Sequence, residues 1–216
     1  MIVLIAGIML SACGATNNAM VDRKTHVEFY RVFDIASANK SFVEMAELVS
    51  NGVGRGVANL NESRPLVTQD QIPEKPNKFK IVDRHLTGNA AVFMAMAGMN
   101  GIRDIQCPGA VWIGKANRPH AGTTRGINFT ACLFPYSGGY GLDFYAEYTE
   151  KSGFTLNPVE LGSRLGAKMA GTPADFLDST VNETLKYIKE NVPGARIQVQ
   201  EAYPKYAGLP WDGEQS

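Results

Sequence analysis

Residues 126–149 read GINFTACLFPYSGGYGLDFYAEYT, and the reading of this stretch decides the fold. Ile127, Phe129, Ala131 and Leu133 alternate with Asn128, Thr130, Cys132 and Phe134. Ser137-Gly138-Gly139 supplies a turn, after which Leu142, Phe144, Ala146 and Tyr148 resume the alternation. A period of two on both sides of a glycine-rich turn predicts two antiparallel strands, 126–134 and 141–149. Residues 110–115 (AVWIGK) read as a further strand, so an antiparallel meander is expected.

Working outward, residues 27–33 (VEFYRVF) are rich in aromatic and β-branched side chains and predict a strand whose apolar face Arg31 interrupts. Ser41-Phe42-Val43-Glu44 has the form of a capping box, and Phe42, Met45, Val49 and Val53 follow at helical spacing until Gly54 and Gly56. Residues 58–78 carry three prolines and little periodicity, which makes them a long connection of the kind that often bears function. FKIVDR (79–84) reads as a strand, and the apolar run 87–100, closed by Asn100-Gly101, as a buried helix.

Asn157-Pro158-Val159-Glu160 and Thr172-Pro173-Ala174-Asp175 each place a cap residue, a proline at the first helical position and an acid at the third, and so predict two helix starts. The second helix carries the cleanest stripe, Leu177, Val181, Leu185, Ile188 and Val192, before Pro193-Gly194 ends it. Residues 195–203 (ARIQVQEAY) return as a strand. In the tail 204–216, Tyr206, Leu209 and Trp211 are apolar enough to dock. Phe29-Tyr30 and Phe144-Tyr145 each precede a capped helix and then a strand, FKIVDR in one case and RIQVQE in the other, an echo compatible with two related strand-helix-strand units. The expected class is α+β, an antiparallel sheet with helices packed on one face.

The chain has 216 residues, 44% hydrophobic and 19% charged, a globular composition that supports a packed core over nearly its whole length. Lys and Arg number 21 and so do Asp and Glu; without net charge or a basic stripe, nucleic acid is not an expected partner.

At the N-terminus, the apolar stretch Met1 to Leu10 runs into Leu10-Ser11-Ala12-Cys13. A short apolar core followed by small residues has the form of a secretory signal, too short to span a bilayer, which takes ~20 apolar residues. The run resembles the lipobox of bacterial lipoproteins; beyond that signal class no specific family is suggested. The resemblance implies removal of residues 1–12, lipid attachment at Cys13 with palmitate among the acyl chains, and a short tether within 13–26. Gly14 in place of an Asp implies the outer membrane, facing the periplasm. Met1-Ile2-Val3-Leu4 lacks the basic residues of a signal's start, so translation is expected to begin upstream. The competing reading is a buried N-terminal strand or helix with Cys13 as an ordinary core thiol. The remaining cysteines, Cys107 and Cys132, are expected to join in an oxidising compartment, closing a loop of roughly 26 residues and stabilising the fold by about 3–4 kcal/mol. A reactive thiol at Cys107 is the alternative.

Motifs of catalysis are sparse. Ser137 lies in SGGY, which is not a nucleophile elbow, and Cys107, His85 and Asp83 are the residue types of a thiol-protease triad without its sequence context. Met94, Met96 and Met99 resemble the methionine-rich motifs that hold Cu(I) in exported copper proteins, with His85 and His120 as further ligands, although methionines in an apolar run also fill cores. His26, His85 and His120 are scattered and support no mechanism. Trp112, Tyr136, Tyr140, Tyr145 and Tyr148 could line a recognition groove or pack the sheet.

The resulting expectation is a single periplasmic domain over 27–203, without cofactor or catalytic residue, anchored by lipid and binding a protein or envelope component. An exported hydrolase with its site between 58–78 and 137–140, and a Cu(I)-binding periplasmic protein, are the alternatives.

Overall fold

The computed structural model describes residues 23–68, 70, 72–84, 102–120, 123–152 and 171–212. The elements run β1 (Arg23–Ala36), α1 (Phe42–Gly56), β2 (Asn61–Ser63), β3 (Lys80–Arg84), β4 (Ile102–Gln106), β5 (Trp112–Arg118), β6 (Thr123–Tyr136), β7 (Gly139–Ser152), α2 (Pro173–Asn191) and β8 (Arg196–Tyr203). Six strands form one sheet in the order β2-β5-β6-β7-β1-β8, every neighbouring pair antiparallel, and β3 and β4 form a separate two-stranded hairpin. The predicted α+β class is the observed one, with the antiparallel sheet carrying α1 and α2 on one face.

The alternation of residues 126–149 becomes β6 and β7, joined at Ser137-Gly138 and paired from Tyr136↔Gly139 to Ile127↔Tyr148. Gly139 has φ 150°, and a Cβ there would lie 2.2 Å from the Ile35 carbonyl oxygen, so only glycine lets this turn close against β1. Both helices start at the capping boxes, Ser41 with Glu44 and Thr172 with Asp175. Met45, Val49 and Val53 of α1, and Leu177, Val181, Leu185 and Ile188 of α2, are buried with Phe29, Phe33, Phe129, Leu133, Leu142 and Phe144 of the sheet. The helices also pack on each other through glycine: a Cβ on Gly52 would lie 2.9 Å from Thr184 Cγ2, and one on Gly56 2.5 Å from Thr180 Oγ1.

Taken without β2 to β5, the chain follows β1-α1-β6-β7-α2-β8 with sheet order β8-β1-β7-β6, the split β-α-β arrangement known as ferredoxin-like. Tyr30 lies directly opposite Tyr145, so the two Phe-Tyr pairs of the sequence echo sit side by side at its centre. FKIVDR is not the partner strand of that echo. It supplies β3, which pairs locally with β4, and the place in the sheet that matches β8 is taken by β6, whose longer apolar stripe fits the helix-covered core.

Element bounds differ from the sequence reading at several places. Residues 110–111 precede β5, following a turn at 108–109 that Ala110 N–H closes onto the Cys107 carbonyl at 3.2 Å. β2 occupies part of the expected connection 58–78, and β4 (IRDIQ) is too short and too polar to read as a strand from its sequence. β1 extends from Arg23, and the tail docks on the helix-face core through Tyr206, Leu209 and Trp211. Residues 1–22, 87–100 and 157–160 lie outside the described residues, and with them the signal, the apolar run and the Asn157 helix start.

Candidate functional site

Arg31, the residue that interrupts the apolar face of β1, points into the helix-face core and is fully buried. Its Nε and Nη2 donate to the two carboxylate oxygens of Asp178 on α2 at 2.9 and 3.0 Å. Nη1 donates to the Tyr30 and Pro204 carbonyls, both at 2.9 Å, and the guanidinium lies over the rings of Phe29 and Tyr206. Four of the five guanidinium N–H groups are used, and the planar fork ties β1, α2 and the tail together at one point. Arg31 is therefore a structural centre.

The more unusual chemistry is on the opposite face. Strand parity brings Ile113, Cys132, Asp143, Val32 and Glu201 into one cross-strand row, and Lys115, Thr130, Tyr145, Tyr30 and Tyr203 into the next. A second apolar cluster covers these rows: Ile105, Cys107, Ala110, Cys132, Phe134 and Tyr145, with Tyr30, Phe79 and Ile113 against them. Cys107 and Cys132 are joined as a disulfide. The β3–β4 hairpin is held over the face by Lys115 Nζ to the Ile105 carbonyl at 3.1 Å and by an ion pair between Arg103 and Glu28.

Asp143 lies beneath this cover, 1% exposed. Its Oδ2 accepts the Phe79 N–H at 3.0 Å, while Oδ1 has no hydrogen-bond partner among the described residues. Burial pushes its pKa up to about 7; the Phe79 N–H and Lys78 oppose that rise, and Glu201 adds to it. Beside it, Phe79 packs on Tyr145 and Tyr30, with ring centroids 5.5 and 6.2 Å apart, and Tyr30 stacks on the half-exposed Tyr203 at 5.8 Å. Lys78 and Glu201 form an ion pair at the rim.

Compared with known protein families, with characterised proteins and with solved structures, the chain matches none.

The five aromatics expected around the meander do not share a groove. Trp112, Tyr140 and Tyr148 are buried on the helix face, Trp112 donating to Glu62 at 2.7 Å and Tyr140 to the Lys40 carbonyl at 2.6 Å. Tyr145 lies on the far face, and Tyr136 donates to Asp34 at 2.7 Å. The strand alternation that filled the core also split them between two sides.

The two loops expected to frame a hydrolase site do meet. Ser137 N–H donates to the Pro73 carbonyl at 3.0 Å and Ser137 Oγ to the Glu74 carbonyl at 3.4 Å. A hydroxyl donating to a main-chain carbonyl is tethered, not activated, since activation needs a base at that position. Cys107 carries no free thiol in this oxidised form. His26 sits 3.7 Å from Glu147, and His120 packs its ring against Phe176. His85, Met94, Met96, Met99 and Cys13 lie outside the described residues.

Sequence reasoning missed Asp143. The alternation that places Leu142 and Phe144 in the core assigns Asp143 to the other face, ordinarily a solvated one. What buries it arrives from Phe79 and Cys107, respectively 64 and 36 positions earlier in the chain.

Proposed function

We propose that this chain is a lipid-anchored protein of the bacterial envelope whose α+β domain binds a protein or envelope component and performs no chemistry of its own. The observation that carries the anchor is the run Leu10-Ser11-Ala12-Cys13 behind ten residues of signal-like character. Cysteine pairing supports it: with Cys107 and Cys132 joined, Cys13 is the odd cysteine, as an acylated residue would be. Two or three acyl chains hold durably where a single chain holds only marginally. Gly14 favours the outer membrane, with the domain on the periplasmic side.

Support for recognition comes from the far face. The Tyr30–Tyr203 stack is partly open to solvent, and ion pairs Lys78–Glu201 and Arg103–Glu28 are set near it. Aromatics bordered by charges are the composition of contact surfaces.

The test has two arms. Cys13→Ala in cells should abolish palmitate labelling and move the protein from the membrane fraction to the soluble one; unchanged partitioning would remove the anchor reading. In-cell crosslinking should capture one discrete envelope partner with the wild type and lose it with Tyr203→Ala. A captured partner that survives that change moves the surface elsewhere, and a clean blank shifts weight to a small-molecule site, to be screened with hydrolase substrates and Cu(I).

A further inference from the structure

The segment Pro73–Phe79 is a strap laid across the ends of β6 and β7. Its first residues are held by Ser137, through the Pro73 and Glu74 carbonyls. Pro76 sits on Gly141 and Asn77 on Gly109 so closely that a Cβ at either glycine would come within 2.6 Å of them. Lys78 pairs with Glu201, and Phe79 ends the strap with its N–H on Asp143 and its ring between Tyr30 and Tyr145. Among these attachments the Asp143 carboxylate is the buried, ionisable one.

We propose that Asp143 is a proton-operated latch for this strap: the protonated acid holds it down and the ionised carboxylate loosens it. A closed strap leaves Oδ1 out of reach of solvent and without a partner among the described residues, so an ionised carboxylate there has one hydrogen bond where water would supply several. Lifting the strap readmits water to both oxygens, whereas protonation removes the charge and leaves a neutral carboxyl whose burial costs less.

Among the described residues, the cations near Asp143 are already paired. Across the sheet Asp143 faces Val32 on β1 and Cys132 on β6, an apolar residue and a bonded cysteine. From the strap it faces Lys78, which is engaged by Glu201 of β8. Farther along the same face stand Tyr30 and Asp34 of β1, Tyr145 of β7 and Tyr136 of β6, the last two donating to Glu28 and Asp34. The hairpin brings Arg103, paired with Glu28, and Asp104, near Lys115. The burial-raised pKa of Asp143, about 7, places the transition in the neutral range.

The disulfide gives the latch its second anchor. Cys132 and Asp143 are direct cross-strand partners; one binds Cys107, just after β4, and the other binds Phe79, just before β3. One end of this insertion is fixed covalently and the other by a group that titrates. The latch holds whatever the face binds, so it stands apart from the anchor and partner reading.

Hydrogen exchange of the full chain between pH 5 and 8, corrected for intrinsic rates, tests it at the Phe79 and Ser137 amides. Protection in the wild type should fall about tenfold per pH unit between pH 5 and 7 and then level off, with the strap amides less protected than those in the centre of β6 and β7 throughout. Asp143→Asn should flatten the profile. Should that variant not fold, carboxyl NMR of wild-type Asp143 replaces it, and its titration must coincide with the pH at which protection levels off. Flat wild-type protection, an identical slope in Asp143→Asn, or a carboxyl titrating below pH 5 would each overturn the latch.

Discussion

Cys132 and Asp143 stand directly opposite each other on β6 and β7, and each holds one end of the same hairpin-bearing insertion, Cys132 through Cys107 and Asp143 through the Phe79 N–H. A covalent anchor and a titratable one thus occupy a single rung of the ladder.

Loss of the covalent anchor should be costly. Replacing Cys107 and Cys132 by serine opens a loop with a sequence separation of 25, which the chain-entropy model values at roughly 3–4 kcal/mol. Urea titration should show that loss in the variant and in reduced wild type alike, with the six-stranded sheet retained by circular dichroism.

Asp143 should make the domain more stable in mild acid than at neutral pH. Its folded pKa is raised from 3.8 to about 7, so between those values the native state binds more protons than the unfolded chain, and stability declines as pH rises. The decline is ~1.4 kcal/mol per pH unit at most, confined to about pH 4–7. The capping carboxylates Glu44 and Asp175 are shifted downward by hydrogen bonds from Ser41 and Thr172, so their effect has the opposite sign and falls below that window. Chemical denaturation across pH 5–8 should therefore show a negative slope in wild type and little slope in Asp143→Asn.

Arg31 and Asp178 should be strongly coupled. Asp178→Ala leaves the fully buried guanidinium without its counter-charge, a change worth about 3 kcal/mol at the lower end of the range for broken buried pairs, since Asp178 itself is partly exposed. Arg31→Met together with Asp178→Leu should recover much of that loss. A double-mutant cycle showing additive effects would contradict the pairing.

The contact between helices predicts opposite outcomes two residues apart. Gly52→Val drives its side chain into Thr184 and should destabilise by about 1–3 kcal/mol. Gly54→Ala meets nothing within 4 Å and should gain up to ~1 kcal/mol from helix propensity. Thermal melts of the two variants against wild type decide it.

Sequence alone determined the local elements, because their causes are local. Alternation in residues 126–149 made β6 and β7, and two capping boxes set the starts of α1 and α2. It also paired Cys107 with Cys132 by cysteine count and an expected exported context, and it carries the whole of the proposed Cys13 anchor. Only the tertiary structure decided that Arg31 is a buried tie to Asp178, that FKIVDR lies outside the main sheet, and that Asp143 is covered. Each of these depends on groups brought from distant parts of the chain. A pattern of period two says which face a side chain takes; what comes to lie on that face is fixed by packing, and burial there turned an ordinary outward aspartate into the most perturbed acid among the described residues.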